Sequence, residues 1–294
     1  MIGQTFVRRS VSARRLRNHL ATLLLGVGFL VAILPLVSIL AVTVARGMKR
    51  LDAEFFTHSM RGITGAGGGA LHALMGTLQI TGTAMILSIP IGIAAAVYIT
   101  EYASARASRT ITLGVDMLLG VPSIVAGLFA YALFSLLFAD TGVRSGFIGA
   151  IALSVLMIPV VVRSAVEFLS LVSDELREAS LALGVSRRTT VMKIVLPTAF
   201  GGLVTGIVLA VARVIGETAP LLIVAGYTAS MNYNVFSERM MSLPVFVYTQ
   251  YASQGPDPTP YLERAWAGAL MLMAIVIALN LGARLLSRVI VRVR

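Results

Sequence analysis

The sequence predicts an all-α membrane protein with six transmembrane helices. Apolar residues make up 57% of the 294, charged residues only 13%, and mean hydropathy is +0.89. A water-exposed globular surface ordinarily carries about twice that share of charge. Six runs along the chain are apolar enough and long enough to cross a bilayer, which takes about 20 residues. Lysine and arginine also gather at alternate ends of these runs, the pattern of basic cytoplasmic loops.

The first run covers 20–45. It follows Arg8, Arg9, Arg14, Arg15 and Arg17, and it exceeds the roughly 7–15 residues of a secretory-signal core, so it is expected to stay as a span. Residues 1–19 are then a basic cytoplasmic segment, and 20–294 one transmembrane domain. The other runs are 71–100, 111–138, 147–172, 198–226 and 265–286. Lipid offers no partner for a free backbone group, so runs of this length must be helical. Pro35, Pro90, Pro122, Pro159 and Pro220 fall inside them and are expected to act as kinks.

Six spans put both termini on the same side as the loops after spans two and four. That side holds the N-terminal arginines, Arg106, Arg109, Arg177, Arg187, Arg188, Lys193 and the C-terminal arginines, against a smaller set opposite, so both termini are expected in the cytoplasm. Two longer outer segments, 46–70 and 227–264, are expected either to dock an external partner or to be loosely ordered.

The chain has no cysteine, which excludes disulfides, zinc–thiolate sites and thiol nucleophiles. A net charge of +11 raises nucleic-acid binding. The arginines sit at span ends, however, and no separate basic domain exists to neutralise phosphates, so no nucleic-acid partner is expected. His19, His58 and His72 are scattered without metal-ligand spacing, and neither metal nor cofactor is expected. The glycine-rich stretch 65–69 lacks the Gly-Lys-Ser/Thr ending of a phosphate-binding loop, and no such sequence occurs elsewhere. A membrane-embedded enzyme therefore lacks its nucleophile, metal or acid–base set.

Ionisable residues within the runs are few: Arg163, Arg213 and Glu217, with Asp116 and Glu167 nearer the ends. A charge at mid-bilayer costs about 2.5–3.5 kcal/mol on insertion scales and marks a pathway by default. Arg213 lies about 22 Å into the fifth run at 1.5 Å per residue, too deep to reach either surface. Glu217, four residues on, would share its helix face and is its expected partner. These three residues read either as the path of an anion, held by the planar guanidinium fork, or as a salt bridge locking helices together.

The loop after span four reads SDELREASLALGVSRRTTVMKIVLPTAF from Ser173. Asp174 is the expected N-cap of an amphipathic helix, with acidic residues in its first turn. Leu176, Ala179, Leu183, Val191 and Ile194 are expected to face one way, while Glu175, Arg177 and Glu178 face water. Gly184 ends the helix and Pro197 opens the next. Taken alone, this helix could also lie on the membrane surface.

Glu178, Ala179 and Ser180, then Gly184, Ile194, Leu196 and Pro197, reproduce at every spacing the Glu-Ala-Ala loop of binding-protein-dependent ABC importer permeases. Ser180 for the second Ala is the one departure. The segments ARVIGETAPLL (212–222), GALHALMGTLQITGTAMILSIPIGIAAAVYITEYA (69–103) and VPSIVAGLFAYALF (121–134) resemble phosphate-specific members of that group. The resemblance runs from about Gly69 to the C-terminus. It implies a type I importer bundle in which the loop 173–197 carries a coupling helix that docks on a cytoplasmic ATPase. It also implies that Arg163, Arg213 and Glu217 serve phosphate passage. The implied partners are a homologous second permease, a dimer of ATP-binding subunits in the cytoplasm, an external phosphate-binding protein and membrane lipid. ATP hydrolysis is expected from the partner, so the chain itself is not expected to be an enzyme. Another cargo, such as sulfate, molybdate or an organic solute, would use the same loop; a channel would have no use for it.

Overall fold

The computed structural model describes residues 4–138 and 144–292, with side chains over 14–138 and 144–285. Arg8, Arg9, Arg288, Arg292 and Arg294 lie outside the described side chains. Among the described residues all regular structure is helical. In order, these are α1 (Gln4–Gly47), α2 (Ala53–Thr57), α3 (Leu71–Val97), α4 (Ala105–Leu119), α5 (Ser123–Phe138) and α6 (Gly146–Ser170). There follow α7 (Asp174–Ala182), α8 (Arg187–Thr190), α9 (Leu196–Val214), α10 (Ala219–Val224), α11 (Leu243–Ala252) and α12 (Thr259–Arg292).

Five helical stretches are long and apolar enough to cross a membrane, and α4 with α5 makes a sixth if the bent pair counts as one span. The expected third span is not a kinked rod. α4 and α5 meet at 99°. Pro122 lacks an N–H and Gly120 adds backbone freedom, so the helix breaks there instead of bending. The fifth span also differs from 198–226. Its helical path begins at Arg187, runs through a wide turn at Val191–Val195, and stops at Val214. After a non-helical stretch at 215–218, α10 resumes for only six residues.

That wide turn explains Pro197. Inside a continuing helix its ring would clash with the carbonyl four residues back. The turn is π-helical, with Leu196 N–H bonded to the Val191 carbonyl, and this opens the ladder where Pro197 would strain it. Pro197 sits in the first turn of α9, as the sequence suggested, although the helical path into it already starts ten residues earlier, at Arg187. A second π-helical turn, Tyr98–Tyr102, ends α3.

α6 is the hub, in contact with α3, α4, α5, α9 and α10. Small residues set its crossings, as in membrane bundles where packing and not hydrophobicity drives association. An added Cβ at Gly92 of α3 would lie 2.6 Å from Val161 Cγ1 of α6. One at Gly206 of α9 would lie 2.5 Å from Ser164 Cβ. α5 and α10 meet the same way, since a Cβ at Gly127 would lie 2.7 Å from Pro220 Cα. α1 stands apart: of its described side chains it buries only Thr43 and Gly47, next to α12. The helix also runs back to Gln4, well before the expected start at residue 20.

At the α2 end, the glycine-rich stretch is pinned, not loose. Arg264, fully buried, donates from Nη1 to the carbonyls of Gly65 (2.5 Å) and Gly67 (3.0 Å) and from Nε to Gln250 Oε1 (2.8 Å). Arg50 donates to the Gly68 carbonyl and pairs with Asp52 and Glu54. The Gly68 N–H bonds Glu54 Oε1 at 2.7 Å and, with Arg50, holds that carboxyl below its usual range.

Candidate functional site

Two regions gather the residues that the sequence singled out. The first is the α7–α8 loop at the far end of α3 from α2. α7 starts after Ser173, which occupies the cap position without a side-chain bond, so Asp174 is the first helical residue and not the cap. Gly184 adopts φ +78°, the left-handed conformation that closes a helix C-terminus. The Gly184 N–H reaches the Leu181 carbonyl and the Val185 N–H the Ser180 carbonyl, which satisfies two of the last free acceptors.

The face that α7 turns inward is not the expected one. Leu176 (46%), Leu181 (48%) and Leu183 (83%) are exposed, as are Ala179 and Glu178, while Arg177 and Ser180 point in. Arg177 donates from Nε to Glu101 Oε1 at 3.1 Å, from Nη2 to the Leu169 carbonyl at 2.9 Å, and from Nη1 to the Val172 carbonyl at 2.5 Å. Nη1 also pairs with Asp174 at 2.9 Å. Glu101 is 5% exposed. Removing one partner from a buried pair of this kind costs about 3–5 kcal/mol. The Ser180 hydroxyl lies 2.8 Å from Thr190 Oγ1, both buried, tying α7 to α8. Arg187 of α8 stacks its guanidinium over the Tyr102 ring at 5.4 Å. Ile194, Leu196 and Pro197 are partly buried along the helical path that follows.

The second region lies on the spans, at α4, α6 and the end of α9. Arg213 is in the last turn of α9 and exposed, and Glu217 is in the non-helical stretch beyond it, partly exposed. The expected shared helix face does not exist, because α9 ends between the two residues. Among the described residues Arg213 and Glu217 form no ion pair with each other or with any other group. Arg163 of α6 instead pairs with Asp116 of α4 at 3.3 Å, a bond half open on both sides (52% and 44%). Irregular backbone at membrane depth is tolerated only where protein buries it or where it lines a water-filled cavity. Here Val214 and Ile215 are buried by protein, while Arg213 and Gly216 are exposed.

Sequence reading missed Glu101, Thr190 and Arg264. Glu101 and Arg264 look like ordinary charges at span ends. Only a long-range fold, 76 residues in the Glu101–Arg177 case, shows them buried.

The sequence profile of the binding-protein-dependent transport system inner membrane component family matches residues 88–292. The chain belongs to that family. This permease is 46% identical over 285 residues to "Phosphate transport system permease protein PstA 1" of Mycobacterium tuberculosis (strain ATCC 25618 / H37Rv), covering 96% of this chain and 91% of the relative. It is 37% identical over 273 residues to the PstA protein of Haemophilus influenzae, with 92% and 94% covered. Its fold is similar to that of a bacterial alginate ABC transporter in complex with an alginate pentasaccharide-bound periplasmic protein. That match has a TM-score of 0.65 at 13% identity, covering 95% of this chain and 96% of the other. It is also similar to an inward-facing MetNI methionine ABC transporter, with a TM-score of 0.57 at 18% identity and 76% and 94% covered.

Proposed function

We propose that this permease is the membrane subunit of an ATP-driven inorganic phosphate importer. The observation that carries the cargo is the extended identity, over nearly the whole chain, to phosphate transport permeases. In this reading a homologous second permease completes the pathway, and a cytoplasmic ATPase dimer drives it. An external phosphate-binding protein delivers the anion to the α2–α11 end. Both termini and α7 face the cytoplasm, as the arginine distribution favours. Residues 20–294 form the one transmembrane domain.

The break at 215–218 supports an anion path. With no carboxylate among the described residues on Arg213, its guanidinium fork is open to bond two oxygens of a tetrahedral oxyanion. Glu217 keeps the local field from holding that anion too tightly, since conduction needs sites that release as well as bind. Arg163, half open beside Asp116, is a further site along the way. The ATPase docks on the exposed side of α7, around Leu176, Ala179, Leu183 and Glu178, and Gly184 fixes the exit of that helix. An apolar patch on a polar loop is the usual mark of an interaction surface.

Labelled phosphate uptake tests the reading, in cells lacking the gene with and without the chain restored and with sulfate in parallel. Rescue of phosphate uptake alone is expected. Rescue of sulfate, or of neither anion, removes the phosphate assignment. A C-terminal tag is expected to report from the cytoplasm, and an external signal overturns the orientation.

A further inference from the structure

A displacement of α7 reaches the spans only if α7 moves with them as one body. Apolar packing does not hold it there, because Leu176, Leu181 and Leu183 are all exposed. The connection to α6 is short and irregular, at 171–173, and by itself would let a nine-residue helix swing. The attachment is polar, and it converges on one guanidinium. Arg177 joins the carboxylate of Glu101, in the π-helical turn that ends α3, to two carbonyls at the end of α6, Leu169 and Val172. The neighbouring residue of the same turn, Tyr102, holds the other arm of the loop through Arg187. The Ser180–Thr190 bond closes the two arms on each other. A π-helical turn re-aims the side chains beyond it, which is why such turns recur at functional places.

We propose that Glu101 and Arg177 are the joint of the coupling machinery: positioning residues that fix α7 to the ends of α3 and α6, so that force applied to α7 moves the spans. This rests on the reading of α7 as the ATPase-docking helix. A guanidinium suits such a joint because its five donors lie in one rigid plane and hold several acceptors at fixed angles, which an ammonium cannot do.

The test uses the assembled transporter in proteoliposomes, with ATP hydrolysis and phosphate uptake measured together. Glu101→Gln keeps an acceptor but removes the charge, and Arg177→Met removes the fork but keeps the bulk. Both are expected to retain hydrolysis while ATP consumed per phosphate moved rises about 5-fold or more. Arg177→Lys is expected to fall between. Leu183→Asp, on the exposed face, is expected to abolish ATPase docking. An unchanged ratio in Glu101→Gln and Arg177→Met, with Leu183→Asp defective, overturns the joint and leaves the docking reading standing. Normal hydrolysis and uptake in Leu183→Asp overturns the docking reading itself.

A second measurement does not depend on those variants. The chain has no cysteine, so spin labels at Glu175→Cys and Ser170→Cys report the α7–α6 distance directly. One narrow distance, equal in nucleotide-free and ATP-bound transporter and broadened by Glu101→Gln, is expected. A distance that shifts between the two states shows α7 hinging on α6 and overturns the joint.

Discussion

Arg177 and Arg213 are both arginines near the ends of helices in an apolar protein, and their surroundings are opposite. Arg177 is largely buried and spends its donors on Glu101, Asp174 and the carbonyls of Leu169 and Val172. Arg213 is exposed and, among the described residues, is engaged by no carboxylate. A charge satisfied by its own protein builds structure. One left open in a membrane-spanning segment is costly unless water or a ligand meets it. Under the proposed function, the difference separates the end of the molecule that would transmit force from the part that would handle cargo.

The largest effect is therefore expected where the guanidinium is unspent. Arg213→Ala should lower phosphate uptake roughly 10- to 100-fold, the loss of one or two charge-assisted hydrogen bonds, with membrane insertion and ATPase assembly intact. Arg213→Lys should recover only a part, since a point charge cannot bond two oxygens in a plane. Full uptake in Arg213→Ala would show that the open arginine handles no cargo, and the contrast would fail. Arg163→Ala should do less. Its charge is already shared with Asp116 in a half-exposed pair, and such pairs are worth about 1 kcal/mol or less, so uptake should fall about 5-fold at most. A larger loss for Arg163→Ala than for Arg213→Ala, in the same uptake assay, would show that the paired arginine matters more than the open one, and the contrast would fail.

Sequence and structure agree best where one physical signal dominates. The long apolar runs of α1, α3, α6 and α12 have no competing reading, and the short helix closed by Gly184 lies between spans where the sequence put it. The breaks at 120–122 and 215–218 were not legible. Hydropathy continues through both, and a proline inside a membrane helix is compatible with a kink, a break or neither. The inward turn of Arg177 was not legible either. Local periodicity groups it with Glu175 and Glu178 as a solvated face, and the carboxylate that buries it comes from another span. The pairing of Arg213 with Glu217 failed for the same reason, since i,i+4 geometry presumes a helix that ends one residue after Arg213.

At the transmitting end, smaller effects should appear as loosened structure and not as lost affinity. Gly184 holds φ +78° in open space, so Gly184→Val meets no neighbour and its cost is purely conformational. That cost is about 1–2 kcal/mol, which should speed amide hydrogen exchange over residues 181–186 about 5- to 30-fold. Unchanged exchange there would mean that the turn is already frayed, and that α7 is held by Arg177 alone.

The smallest effect concerns the one departure from the Glu-Ala-Ala pattern. Ser180 stands where the pattern has a second Ala, and its hydroxyl is buried against that of Thr190. Ser180→Ala restores the pattern and should nonetheless destabilise the loop by about 1 kcal/mol. The loss stays that small because Thr190 keeps a second acceptor, donating to the Ser186 carbonyl at 3.2 Å. Replacing both partners, Ser180→Ala with Thr190→Val, removes donor and acceptor together and should lie closer to the parent than the sum of the single changes. Thermal unfolding of the four proteins in detergent gives the coupling energy directly. A value indistinguishable from zero would mean that the two hydroxyls merely lie close, and that Glu101–Arg177 and Tyr102–Arg187 alone hold the arms of the loop together.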